Sequence, residues 1–134
     1  MKLSDEQQHI LDTIRTGTNV YVDAVAGTGK TTLILSMAKE LKDKKILQMT
    51  YNKSLKFEVR EKIEKEKVEN LNVHTYHSLA VCYYRDTAFV DNELRKIVVN
   101  KEKPQQAIPD IDILVLDETQ DMTYLYFQFM CKFL

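Results

Sequence analysis

Two short groups of residues could do chemistry together: Lys30 with Thr31, and Asp117 with Glu118. The first pair closes the run Ala24, Val25, Ala26, Gly27, Thr28, Gly29, Lys30 and Thr31. This fits A-x-x-x-x-G-K-T, the phosphate-loop pattern with alanine in its first glycine position. Backbone N–H groups of such a loop converge on an anion, and the helix that follows adds partial positive charge. Lys30 would reach the β- and γ-phosphates of ATP as a point charge, and the Thr31 hydroxyl would ligate Mg²⁺. Residues 24–32, ending in Thr32, form the expected nucleotide-binding set. The chain has 3 glycines, and Gly27 and Gly29 are two of them, placed where backbone must approach a ligand closely.

Downstream, Ile113 to Glu118 reads I-L-V-L-D-E, an apolar run that delivers two acids. Asp117 would hold Mg²⁺ beside Thr31, directly or through water. Glu118 would orient and polarise the water that attacks the γ-phosphate. Each half has a bland reading as well: a chance glycine turn before a helix, or acids that suit a helix start. Together they point to an ATPase core.

These residues need elements to position them. Ser4 to Thr16 reads as a first helix, with Ser4 as cap, Gln7 completing a capping box and Gly17 as stop. Asn19 to Asp23 reads as a buried strand leading into the glycine loop, and Thr31 to Leu41 as the helix leaving it. Lys45 to Thr50 is a second strand. Ser54 to about Glu69 reads as a long charged helix carrying Lys53, Lys56, Arg60, Lys62, Lys65 and Lys67, and most of these lysines are expected on a solvated, salt-bridged face. Asn72 to Thr75 is a third strand, with helices at Ser78 to Arg85 and Asp91 to Val99. Lys101 to Pro109 holds both prolines and reads as a linker. Asp110 to Leu116 is the most hydrophobic strand candidate. Met122 to Leu134 reads as an amphipathic aromatic helix whose stripe Tyr124, Phe127, Met130 and Cys131 is core or an exposed interface. Strands alternating with helices imply an α/β fold with a parallel sheet. Ligands then gather at the carboxyl ends of the strands, where the loop, Thr50, Thr75 and Asp117 all fall.

At 134 residues the chain is one domain by length, and 44% hydrophobic residues suit a globular core. A net charge of −1 supplies no global field toward nucleic acid, so such binding must come from a local patch. Cys82 and Cys131 match no metal or redox spacing and are expected as buried, reduced thiols. His74 and His77 are spaced H-x-x-H, for which metal ligation is the weaker reading. The N-terminus lacks an apolar signal core and no run is long enough to span a bilayer, so an intracellular protein, cytoplasmic or nuclear, is expected.

With the motifs in order, the chain resembles the N-terminal part of a superfamily 1 DNA helicase of the UvrD/Rep type. It is also similar to the F-box DNA helicase branch and its viral relatives, so a viral origin fits too. L-S-D-E-Q, Leu3 to Gln7, resembles the Q motif, which implies that Gln7 reads adenine. A-V-A-G-T-G-K-T matches motif I. T-Y-N-K-S, Thr50 to Ser54, resembles motif Ia, and V-H-T-Y-H-S-L, Val73 to Leu79, resembles the next motif. D-E-T-Q-D, Asp117 to Asp121, matches motif II, where Gln120 couples the nucleotide site to the DNA-facing side. The resemblance implies a RecA-like P-loop NTPase domain, here a partial first motor domain over residues 1–134, with ATP and Mg²⁺ as cofactors. It assigns single-stranded DNA contacts to Thr50, Tyr51, Asn52, Lys53, Thr75, Tyr76 and His77, in keeping with stacking on aromatic faces and phosphates held by lysine or hydroxyl groups.

T-Y-N-K is one residue shorter than the family's usual T-F-T-N-K, and the stretch from Leu79 to Asp117 is short. Motif III, a second motor domain and the arginine fingers lie outside these 134 residues. Such a finger is worth several orders of magnitude in related phosphoryl transfer. The expectation is therefore a fragment that binds ATP·Mg²⁺, hydrolyses it slowly and needs the remainder of a helicase chain to unwind DNA. The rivals are another P-loop phosphotransferase, such as a small-molecule kinase, and a non-catalytic nucleotide- or DNA-binding regulatory module.

Overall fold

The structure, a computed structural model, describes residues 4–20, 30–51, 53–117 and 122–133. Within them three parallel strands form a sheet in the order β2-β1-β3. Strand β1 spans Ile46–Thr50, β2 Leu71–Thr75 and β3 Ile113–Leu116. The register aligns Ile46 with Leu71 and with Ile113, and Thr50 with Thr75, so the carboxyl ends of the strands share one rim. The hydrogen bond from the Asp117 N–H to the Met49 carbonyl, 3.1 Å, carries the ladder one residue past β3.

Helices cover both faces. On one lie α1 (Asp5–Arg15), α2 (Lys30–Glu40) and α3 (Lys53–Lys65), whose Leu11, Ile34, Leu35, Met37, Ala38 and Val59 pack on Ile46, Leu71 and Val73. On the other lie α4 (Tyr76–Tyr83), α5 (Asp91–Val99) and α6 (Tyr124–Phe133), packed on Leu47 and Met49. Side chains of a strand alternate between faces, so odd and even residues of β1 divide between two cores. That is why all five residues of β1 are buried, the polar Gln48 and Thr50 along with Ile46, Leu47 and Met49. The fold is α/β, a parallel sheet flanked by helices.

Local sequence explains most boundaries. The Gln7 N–H donates to Ser4 Oγ at 3.1 Å and the Ser4 N–H donates to Gln7 Oε1 at 3.0 Å, closing the expected capping box. Thr16 caps the other end and Gly17, at φ +81°, turns the chain out of the helix. α4 begins two residues earlier than the spacing predicts, because the Thr75 hydroxyl accepts from the Ser78 N–H at 3.1 Å. α3 ends before Glu69, at Lys65. Lys67 adopts φ +55°, with the Val68 N–H bonded to the Ile63 carbonyl and the Lys67 N–H to the Glu64 carbonyl, the two bonds of a Schellman turn. Strand β3 is shorter than Asp110 to Leu116; before it, Asp112 Oδ2 accepts from the Lys45 N–H at 2.8 Å.

Two expectations need correction. Cys82 and Cys131 are exposed, because α4 turns Leu79 and Ala80 inward and α6 turns Phe129, Met130 and Phe133 inward. The stripe of α6 divides between its two readings: Met130 is buried in the core, while Tyr124 and Phe127 are 73% and 52% exposed, and the buried face is centred on Phe129 and Phe133. Lys56 departs from the solvated face expected for α3, at 7% exposed. The strand expected at Asn19 to Asp23 lies largely outside the described residues; Asn19 and Val20 are described and are irregular.

Candidate functional site

Lys30 opens α2, and Asp117 follows β3 directly. The fold brings Lys30 Nζ to 3.5 Å from Asp117 Oδ1, with both side chains largely sheltered. Each reaches this point for a reason of chain geometry. Lys30 lies in the first turn of a helix whose buried residues Ile34, Leu35, Met37 and Ala38 fix it to the sheet. Asp117 is held by its N–H bond to Met49 at the rim. Thr31 and Thr32 follow Lys30 in the same first turn, half-buried. A cation and a carboxylate thus meet beside a helix whose first turn also carries two hydroxyl-bearing residues, residue types that suit a phosphate chain with its divalent cation.

Ala24, Val25, Ala26, Gly27, Thr28, Gly29, Asn52, Glu118 and Gln120 lie outside the described residues. Gln7 is half-buried on α1, with its side-chain oxygen engaged by the Ser4 N–H in the capping box.

Of the residues assigned to a DNA track, those that are described fall along the same rim, in two groups. Thr50 is 1% exposed and Thr75 is 9% exposed with its hydroxyl capping α4. Tyr51 and Tyr76 each follow one of these threonines, so the register sets their rings side by side, 5.3 Å apart. Tyr126 of α6 completes the group, stacked on Tyr76 at 4.6 Å and 6° and lying 5.7 Å from Tyr51. Tyr76 is 1% exposed, so in this state its ring supports the core and offers no face to a base. Burial drives the Tyr76 hydroxyl far above its ordinary range, reinforced by Tyr51; the Tyr126 hydroxyl is pushed up to about 12 by burial and then by Asp91. Both hydroxyls stay neutral, and that of Tyr126 donates to Asp91.

At the outer end of this cluster His77 Nε2 lies 2.7 Å from Asp91 Oδ1, and the Tyr126 hydroxyl donates to the same oxygen at 3.1 Å. His74 sits apart, along β2. Its Nδ1 accepts from Ser78 Oγ at 2.8 Å, with Arg60 Nη2 at 3.3 Å. Arginine only donates, so Nδ1 is the unprotonated nitrogen and the ring is neutral. Burial, then Arg60 and Lys56, holds its pKa down at about 4. The two histidines serve different partners, and no group of three metal-ligating side chains occurs among the described residues.

Lys53 and its neighbours are the exposed part of the rim. Lys53 is exposed at the start of α3, and its ammonium lies 5.8 Å from the centroid of the Phe57 ring. Sequence reasoning missed Tyr126 and Asp91, which reach the rim from distant helices, and no local pattern announces them. Among the described residues no helix is long and apolar enough to cross a membrane.

The chain is 38% identical over 81 residues to F-box DNA helicase 1 of Gallus gallus, a match covering 60% of this chain and 8% of that protein. The chain thus spans less than a tenth of that relative's length. No solved structure matches. The profile of the AAA domain family matches residues 7–134, and the chain belongs to that family.

Proposed function

We propose that residues 1–134 are part of the first RecA-like motor domain of a superfamily 1, ATP-dependent DNA helicase, running from the Q motif through motif II. Its task is to bind ATP·Mg²⁺ at the rim of the parallel sheet and to contact single-stranded DNA along that rim. The observation that carries this reading is the 3.5 Å approach of Lys30 to Asp117, from opposite ends of the chain, at the carboxyl ends of the strands. Similarity to a protein named as a DNA helicase supports the choice of helicase over kinase.

In this reading residues 24–32 cradle the phosphates. Lys30 turns from Asp117 toward the β- and γ-phosphates, which leaves the Asp117 carboxylate and the Thr31 hydroxyl to the cation. Magnesium, when bound, offsets phosphate charge and fixes the orientation of the chain of phosphates. Glu118 orients the attacking water, Gln7 reads the adenine and Gln120 links the nucleotide to the DNA side. Lys53, Tyr51, Asn52 and His77 contact the strand, while Thr50, Thr75 and Tyr76 build the rim beneath it. In this reading the arginine finger of related phosphoryl transfer comes from the remainder of the helicase, so the isolated chain binds the nucleotide and turns it over slowly.

Equilibrium titration of ATP·Mg²⁺ into wild type and Lys30→Ala tests the nucleotide half. The expected result is measurable binding that is lost in the variant; equal affinity in both would remove the phosphate-loop assignment.

A further inference from the structure

We infer that Tyr126 and Asp91 hold the rim shut by standing in for a nucleotide. The Tyr126 ring takes the place of a base over Tyr76, and the Asp91 carboxylate takes the place of a phosphate at His77. This is a built-in inhibition of the strand contacts proposed above, and it rests on the DNA half of that reading.

Both stand-ins come from outside the segment they cover. Tyr76 and His77 open α4, whereas Asp91 opens α5 and Tyr126 lies in the first turn of α6. Tyr51 meets the Tyr76 ring at a tilt, 41° at 5.3 Å, but Tyr126 lies flat on it, 6° at 4.6 Å. Parallel rings at that spacing are how a nucleobase sits on an aromatic face. His77 is occupied in a matching way. Its Nε2 donates to Asp91 Oδ1 at 2.7 Å, the length of a bond to a charged oxygen. The Tyr126 hydroxyl donates to the same oxygen at 3.1 Å, so one carboxylate fixes both the stacked ring and the histidine.

The core does not depend on this seat. α6 is anchored further along by Phe129, Met130 and Phe133, while Tyr126 is half-buried and the Asp91 side chain is 56% exposed. Opening gives up the stack, looser ring contacts of Tyr126 with Tyr51 and His77, each at 5.7 Å, and two hydrogen bonds. A bound base and phosphate replace the stack and the anion in kind. The two occupants of Tyr76 and His77 exclude each other, so affinity for a strand is reduced by the fraction of molecules that stand open.

The sign of one substitution tests this. Labelled oligothymidylate is titrated with the 134-residue chain and followed by anisotropy. Tyr126→Ala should bind about ten-fold tighter than wild type, because it uncovers Tyr76 without changing the charge of the rim. A tyrosine that merely packed would, on removal, lower affinity instead. Tyr126→Phe keeps the ring and loses the bond to Asp91, and should gain about two- to three-fold. In a Tyr76→Leu background the gain from Tyr126→Ala should vanish; a gain that persists there would overturn the stack as its cause. Circular dichroism reports folding, and if Tyr126→Ala does not fold, Tyr126→Phe carries the test. Wild-type binding that is unchanged or weakened in the folded Tyr126 variants would overturn the inhibition and spare the DNA reading. Absence of binding by wild type and by every Tyr126 variant would overturn both.

Discussion

His74 turns its burial into a pH dependence. Its folded pKa, about 4, lies below the ordinary histidine value near 6.5, because the ring is sheltered and faces Arg60 and Lys56. Between those two values the unfolded chain binds a proton that the folded chain refuses. The contribution is therefore complete above about pH 6.5 and is lost as the pH falls toward 4. Denaturant midpoints measured across this window should fall in wild type and fall less in His74→Gln; parallel curves would show that the ring is not held neutral by the fold. At this scale the sequence was legible where chemistry is written in adjacent residues. Lys30, Thr31 and Asp117 are identified by their neighbours in the chain. Tyr76 was not, because its burial depends on Tyr126, far away in sequence, and Lys56 could not be told from the solvated lysines around it.

Helix ends show the same division among elements. The box formed by Ser4 and Gln7 was readable because both partners lie within four residues, and Asp91–Val99 was readable from its acidic first turn and apolar spacing. The end of α3 was not, because Lys67 occupies a left-handed position that favours glycine. Lys101 does the same after α5, at φ +51°, with the Glu102 N–H bonded to the Ile97 carbonyl. A side chain in that region costs about 1 kcal/mol, so Lys67→Gly should stabilise the chain by about 0.5–1 kcal/mol in chemical denaturation. A destabilised variant would mean that the lysine's own contacts outweigh its backbone strain. The stripe of α6 stayed open between core and interface for a different reason. Nearly every residue from Tyr124 to Phe133 is apolar, so several faces of that helix satisfy the period equally well, and packing against α5 chooses among them.

For the whole molecule, the sheet joins what the sequence keeps apart. Register aligns the ends of β1 and β2 and carries β3 one residue further through the Asp117 to Met49 bond, so one rim holds Thr50, Thr75 and Asp117. Alternation of strands and helices foretold a parallel sheet. Strand order and the tyrosine cluster could not be foretold, since both are set by packing between elements distant in the chain. The account rests on Lys30 and Asp117 serving one nucleotide with its cation. Affinity for ATP, measured with Mg²⁺ and with the metal chelated, in wild type and Asp117→Asn, tests this most directly. The account predicts that Mg²⁺ tightens binding in wild type and that the variant loses this tightening while its metal-free affinity is not reduced. A variant that keeps the full magnesium effect would contradict it.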